Sequence, residues 1–555
     1  MMKQIYTLFS ILTLCVCAHA TVKPRYRGAY QALPVVGHHV DEAEPTTQRR
    51  VGLLSTAPLT STGSPRIPLI LVQFADLRFT SGLAAGAECT TDDDVAAVNA
   101  FYHLYANGRG DGGHYTAAGS GGAIMEYFRD QSNGLFTPEF VIIGPVTLDK
   151  SYKYYGEDTY NSAGNIVAHD KNISAFYQEA ISKAQALGVD WTQFDNDGDG
   201  DVDMAFFIYA GEGENSYSQT AQPETADYIW PHERPSGGSY NGVRYGAYAC
   251  CNETYHGSTD GIGVFVHELS HAMGLPDLYD TYYVAYGMDY WDVMDSGNYC
   301  ANGAVPCGYS AYEKDFMGWQ PLVTLDINTP QHLVLEPLHA GGTGYKIVNP
   351  ENENEYYVIE NRQNKQWDTY IGRSPATLPD GYQRNHGLLI THIDYIQGRW
   401  TSNSVNTDEE HQLCTILPAD GTLDSYMYVT SNAEYYDFLM STAGDPFPGV
   451  QEVHALESER EPVYTTTGDT PGEMNQPLRN IVEHPDGTIE LDYCPRGIEP
   501  QDDAIASTPS ADTPAVVYHV NGTRMGTARI ADGRIDGLQL PAGIYIVGQR
   551  KFVVH

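Results

Sequence analysis

The sequence predicts a mixed α/β domain built on a twisted mixed sheet, followed by an all-β region, and three observations carry that prediction. The apolar runs RIPLILVQF (66–74), FTPEFVIIGPV (136–146) and MAFFIYAG (204–211) have the length and composition of buried strands. Between them lie segments of helical period near 93–106, 122–131 and 172–187, the second stopped by Asn133-Gly134. Strands alternating with helices build a sheet covered by helices. Past residue 323 the texture changes to short alternating runs such as HLVLEPL, EYYVIENR, GLLITHIDY and GTIELDYC, separated by Gly, Pro, Asn and Asp, which read as strands up to 496.

The flanks are of a different kind. Residues 1–20, MMKQIYTLFSILTLCVCAHA, carry one cation, an apolar stretch and Ala18-His19-Ala20, the pattern of a signal peptide cleaved after Ala20. The stretch is too short for a spanning helix, and no later segment is apolar enough for one. Export to the cell surface or medium, with no transmembrane segment, is therefore expected. Residues 21–64 show no sustained period and contain Arg49-Arg50, which reads as a pro-segment or linker; a folded α/β domain is expected over 65–322 and a β-rich accessory domain over 323–496. A polar linker (497–514) precedes a terminal module of short strands (515–555).

Across 555 residues, 31 Lys and Arg face 71 Asp and Glu, a formal charge of −40, which repels phosphate backbones and excludes nucleic acid as a partner. With 42% hydrophobic and only 18% charged residues the chain is not a disordered acidic polymer. Nine cysteines less the two in the signal leave seven, an odd number. Cys300 and Cys307 enclose a short loop that a disulfide could close in an exported protein. No C-x-x-C occurs, so a cysteine zinc site has no support.

The chemistry concentrates in GIGVFVHELSHAMGLPDLYD (261–280). Val266, Leu269 and Met273 have helical spacing, Asp260 can cap the start, and Gly274 followed by Pro276 ends the helix. His267 and His271 stand at i and i+4, so both imidazoles leave one face and can bind a single Zn²⁺. Glu268 beside them is placed to take a proton from a water at the metal. A catalytic zinc keeps three protein ligands, so one must come from off the helix. Gly274 lets the chain turn back, and Asp277 is the first carboxylate that the turned chain presents, with Asp280 and Asp289 as alternatives. Downstream, WDVMDSG puts Met294 before an Asp-Ser-Gly turn, where a Met can form the floor under a zinc or serve as plain core. Tyr299, shortly after that turn, is a candidate oxyanion stabiliser.

A second constellation runs from Asp195 to Asp203, DNDGDGDVD, with carboxylates at Asp195, Asp197, Asp199, Asp201 and Asp203. Alternate carboxylates with Gly at the sixth position match the first half of an EF-hand loop, whose oxygen ligands select Ca²⁺. Its twelfth position is Phe206 and a strand follows, so an isolated calcium loop is expected, not a helix-loop-helix hand.

H-E-L-S-H-A-M-G-L-P-D-L-Y-D followed by W-D-V-M-D-S-G resembles the immune-inhibitor-A family of secreted bacterial zinc metallopeptidases, a metzincin-like group. The resemblance extends over 66–450 through LILVQFAD, MEYFRDQSNGLFTPEFVIIGPV, IWPHERP, SAYEKDFMGW, EYYVIENRQ and GDPFPG. It implies an endopeptidase acting on proteins or peptides, with Asp277 in place of the usual third His of metzincins. The ending LPAGIYIVGQRKFVVH resembles the C-terminal sorting domain of type IX secretion substrates in Bacteroidetes, which implies recognition by secretion machinery; an accessory β-module without that role is the alternative. The competing function is a binding scaffold in which the β-rich region does the work, but a scaffold would not require an intact Glu268. A thermolysin-like site lacks the downstream N-E-x-x-x-D helix.

Overall fold

A computed structural model of the chain describes residues 57–110, 114–115, 121–162, 166–216, 223–234, 237–281, 285–350, 352–372, 385–408, 411–423, 432–457, 462–465, 468–473, 476–500, 515–519, 524–531, 534–536, 538–541, 543–547 and 550–554. Residues 1–56, expected to be an export signal and most of a pro-segment, and residues 501–514 of the expected linker lie outside the described residues.

In chain order the first part contains β1 (Arg66–Gln73), α1 (Asp92–Asn107), α2 (Ile124–Gln131), β2 (Glu139–Thr147), α3 (Tyr152–Gly156), β3 (Thr159–Tyr160), β4 (Ile166–Ala168), α4 (Ile173–Ala186), β5 (Val202–Glu212), β6 (His232–Arg234), β7 (Gly238–Tyr240), β8 (Val243–Tyr255), β9 (Ser258–Thr259), α5 (Gly263–Ala272) and α6 (Ala311–Phe316). The three apolar runs become β1, β2 and β5. They lie parallel, in a seven-stranded mixed sheet of order β2-β1-β5-β8-β6, with β6, β7 and β9 antiparallel to β8.

Parallel strands buried on both faces read as unbroken apolar runs, and the side-chain period of two then divides them. Leu69, Leu71, Phe206 and Ile208 pack on one face with α1, α2 and α5, whereas Ile70, Val72, Phe207 and Tyr209 pack on the other with α4. At the start of α1, Thr91 and Asp94 form a reciprocal capping box. Residues 59–64, read from sequence as pro-segment, pack against the domain. Leu59 is buried and its N–H donates to the Ala272 carbonyl at 3.1 Å, and the Ser61 hydroxyl donates to the Met317 carbonyl at 2.9 Å.

The second part holds β10 (Val323–Thr324), β11 (Gln331–Leu335), β12 (Tyr345–Asn349), β13 (Asn352–Arg362), β14 (Gly387–Asp394), α7 (Gln397–Thr401), β15 (Cys414–Ile416), α8 (Asn432–Gly444), β16 (Pro462–Thr465), β17 (Gly468–Glu473), β18 (Leu478–Glu483) and β19 (Ile489–Tyr493). It forms sheets of order β10-β12-β13-β14-β15, β11-β19-β18 and β16-β17. An all-β reading of 323–496 is thus too simple, because α7 and α8 are inserted between strands. Trp400 explains α7: its ring is buried and its indole N–H donates to the Tyr312 hydroxyl at 2.7 Å, a tertiary contact without local periodic signal. The terminal strands β20 (Ala515–His519), β21 (Arg524–Ala531), β22 (Arg534–Asp536), β23 (Gly543–Val547) and β24 (Arg550–Val554) make a five-stranded sheet.

Cys300 and Cys307 do not form the disulfide that their spacing allows. The Cys300 thiol turns instead to the Tyr370 carbonyl at 3.2 Å, and all seven described cysteines are buried thiols. Among the described residues no helix is long and apolar enough to cross a membrane.

Candidate metal and active site

The helix α5 sits on the sheet because Phe265 stacks on Phe206 of β5, with ring centroids 3.6 Å apart and Phe140 edge-on at 5.3 Å. Val266 and Leu269 are buried on the same side. Asp260 does not cap this helix as its position suggested. Its carboxylate accepts from Asn252 Nδ2 at 2.9 Å, and the helix start is satisfied by a backbone contact in which the Gly263 N–H donates to the Gly303 carbonyl at 2.9 Å.

That contact needs glycine. A Cβ on Gly263 would lie 1.8 Å from the Asn298 carbonyl oxygen, and one on Gly261 2.0 Å from the Gly303 carbonyl carbon. Gly263→Ala should therefore destabilise the domain by about 3 kcal/mol or more, a Tm loss of roughly 6–12 °C for a domain of this size. Thermal unfolding followed by circular dichroism checks this; an unchanged Tm would mean the loop yields freely.

The end of the helix is a Schellman turn. Gly274 has φ 102°, its N–H donates to the His271 carbonyl at 2.8 Å, and the Leu275 N–H donates to the Ser270 carbonyl at 3.2 Å. The turn reverses the chain, as expected from Gly274, and brings Asp277 under the two histidines.

His267 Nδ1 lies 2.9 Å from the Val293 carbonyl and His271 Nδ1 2.7 Å from the Leu275 carbonyl. A carbonyl can only accept, so each Nδ1 carries the proton and each Nε2 presents a lone pair. The two Nε2 atoms are 3.2 Å apart, and Asp277 Oδ1 lies 3.1 Å from one and 3.2 Å from the other. Three electron-pair donors this close repel one another unless a cation or a proton sits between them. Tetrahedral ligands about 2.0 Å from one zinc are about 3.3 Å apart, so the triangle fits that ion. Among the described residues, His267, His271 and Asp277 form one of the groups able to hold a metal. Asp280 and Asp289 do not join it: Asp280 accepts from the Ala285 N–H at 2.7 Å, and Asp289 stands in the turn whose N–H groups bind Asp295.

Asp277 is held from behind by Asn403. The Asn403 amide donates to Asp277 Oδ2 at 2.6 Å, and its oxygen accepts from the Asp277 N–H at 2.6 Å. Burial opposes ionisation of Asp277, but positive charge in the triangle, carried by His271 and His267 when their Nε2 atoms hold protons, overcomes it and keeps the carboxyl well below its usual range. Sequence reasoning misses Asn403, which lies 126 positions away and carries no motif.

Glu268 is buried in the same cleft, which His267, Asn215, Asn298 and Tyr299 also line. Burial pushes its carboxyl up, while positive charge on the two imidazoles and the nearby Glu233 backbone N–H of edge strand β6 pull it down. Glu233 is a further residue absent from the sequence reading. Its side chain is pushed up to about 8, first by burial, with Glu268 and Asp277 adding to the rise and His271 opposing it. Tyr299, read as an oxyanion candidate, does reach the cleft, and burial raises its phenol. Met294 is fully buried; its carbonyl accepts from the Leu278 N–H at 2.9 Å while its neighbour Val293 holds His267. The Val293-Met294 backbone therefore ties both the first histidine and the segment bearing Asp277.

In the acidic loop, Asp195, Asp197 and Asp199 converge, but Asp201 and Asp203 are engaged elsewhere. Asp201 pairs with Arg244 at 2.7 Å, and Asp203, at the start of β5, accepts from Asn196 Nδ2 at 3.0 Å. Asn196 in turn accepts from the Arg66 N–H at 2.8 Å and so fastens the loop to β1. Asp195, Asp197 and Asp199 offer carboxylate oxygens within 4.8 Å of one another, while Asp203 lies in the strand that begins at Val202.

Residues 59–321 match the family described as Immune inhibitor A peptidase M6, catalytic domain. Immune inhibitor A of Bacillus thuringiensis subsp. alesti is 27% identical over 235 residues, covering 37% of this chain and 34% of that protein. The pre-pro-metalloprotease PrtV of Vibrio cholerae serotype O1 (strain M66-2) is 26% identical over 225 residues, covering 35% of this chain and 23% of PrtV. The similarity thus spans about a third of the length of one relative and a quarter of the other.

Proposed function

From a chain whose residues 59–321 carry an immune-inhibitor-A peptidase M6 domain, we propose a secreted zinc endopeptidase with a metzincin-like site, acting on extracellular proteins. The observation that carries this reading is the 3.1–3.2 Å triangle of His267 Nε2, His271 Nε2 and Asp277 Oδ1 with Glu268 in the same cleft. When bound, a zinc ion supplies Lewis acidity and makes a water more acidic. The chain's own residues do the rest. Glu268, buried and with a raised pKa, takes the proton of the attacking water and passes it to the leaving amine. Tyr299, whose burial keeps its phenol protonated, donates to the developing oxyanion. Asn403 and the Val293 and Leu275 carbonyls fix the orientation of the three ligands.

The family's metal requirement sets the test. Purified full-length chain should contain about one catalytic zinc, cleave casein, and lose cleavage in a zinc chelator with recovery on adding Zn²⁺. Cleavage indifferent to chelation would sink the proposal. We propose further that residues 1–20 direct export and 21–58 form a pro-segment, that Asp195, Asp197 and Asp199 hold Ca²⁺, and that 515–555 act as a sorting module.

A further inference from the structure

We propose a second, independent metal site at Asp158, His169 and Glu214, suited to a divalent transition metal such as Zn²⁺. It shares no residue with the His267, His271 and Asp277 group and resembles no motif in the sequence. Asp158 follows α3, His169 stands between β4 and α4, and Glu214 opens the turn after β5. One donor atom from each lies within 4.8 Å of the others. Ligands of one cation at about 2.0–2.4 Å must fall within about 4.8 Å of each other.

Burial argues that something positive belongs there. The Asp158 side chain has no exposed surface, and Glu214 is 1% exposed. Asp170, next to His169, is 5% exposed and donates its N–H to Asp158 Oδ1 at 3.2 Å. Three carboxylates are thus gathered out of water. Asp158 Oδ2 and Asp170 Oδ1 are buried and find no hydrogen-bond partner among the described residues. Isolated buried carboxylates are costly unless paired or bound to a metal. Among the described residues, His169 places its Nδ1 3.3 Å from Asp158 Oδ1, and the field of Arg234 reaches Asp170.

The donor set selects the class of ion. Calcium takes oxygen ligands, whereas an imidazole beside carboxylates suits zinc and its neighbours. His169 is 45% exposed and so leaves an approach from solvent. The site also bears on the catalytic cleft: Glu214 begins the turn Glu214–Ser216, whose Asn215 lines that cleft beside Tyr299. A cation holding Glu214 would brace this wall.

The test is zinc content by mass spectrometry on full-length chain, with Ca²⁺ in excess to occupy oxygen-only sites. A His267→Ala/His271→Ala variant, stripped of the α5 imidazoles, should still bind about one zinc and gain Tm when Zn²⁺ is added. Adding His169→Ala should abolish both effects; its half-exposed side chain can be truncated without opening the core. Where the double variant fails to fold, His169→Ala alone should lower zinc by one equivalent, and Asp158→Asn should do the same. The site is refuted if the double variant binds no zinc, or if His169→Ala and Asp158→Asn keep the full zinc content and Tm response. Loss of casein cleavage in the double variant tests the proposed peptidase and leaves this result untouched.

Discussion

Glu268→Gln is expected to lower kcat/KM for casein by about 10³-fold or more, within the range that a lost general base costs, while zinc content and Tm stay at their original values. The amide keeps the size of the side chain and its place beside the Glu233 N–H, so packing is preserved. It cannot accept a proton at neutral pH. The Nε2 atoms of His267 and His271 and the Asp277 carboxylate are untouched, so metal binding is separable from turnover. Activity within tenfold of the original would show that another group, such as Glu233 within the field of Glu268, removes the proton. Zinc analysis on the same sample guards against the trivial outcome of a lost metal.

Asp277→Ala should remove zinc and activity together, because two imidazoles alone leave a catalytic zinc one protein ligand short. Asn403 supplies the graded companion. It stands at φ 52°, a left-handed conformation that glycine adopts without strain, so Asn403→Gly isolates the two lost hydrogen bonds from any backbone effect. Supporting partners of this kind are worth about 10–100-fold in metal affinity. Asn403→Gly should accordingly weaken zinc binding by that factor, measured by competition with a chromophoric chelator, and regain activity at high Zn²⁺. Asp277→Ala should not regain it. If Asp277→Ala retains full zinc affinity, the third ligand lies elsewhere, and the anchoring role of Asn403 falls with it.

Local spacing determined the core of this site. His267 and His271 are one helical turn apart, Glu268 is adjacent, and Gly274 reverses the chain within three residues, so covalent connectivity alone brings four of the critical positions together. Asp277 follows from the same turn. The strands β1, β2 and β5 were legible because burial on both faces leaves an unbroken apolar run, and Asp195, Asp197 and Asp199 because alternate carboxylates in a Gly-rich turn converge on one side.

Tertiary structure decided whatever depends on residues distant in the chain. Asn403 reaches Asp277 across 126 positions, Glu233 arrives on an edge strand, and Asp260 leaves its expected cap because Gly303 fills that place. The Cys300 thiol faces a carbonyl on a segment 70 positions away and forms no disulfide across its own loop. Asp158, His169 and Glu214 meet only because β5 and the turns around α3 and α4 end at one place. A sequence pattern records which residues one backbone period can align. It holds no trace of partners that meet when separate segments pack, because their spacing obeys no period and is set by the burial of the apolar faces that carry them.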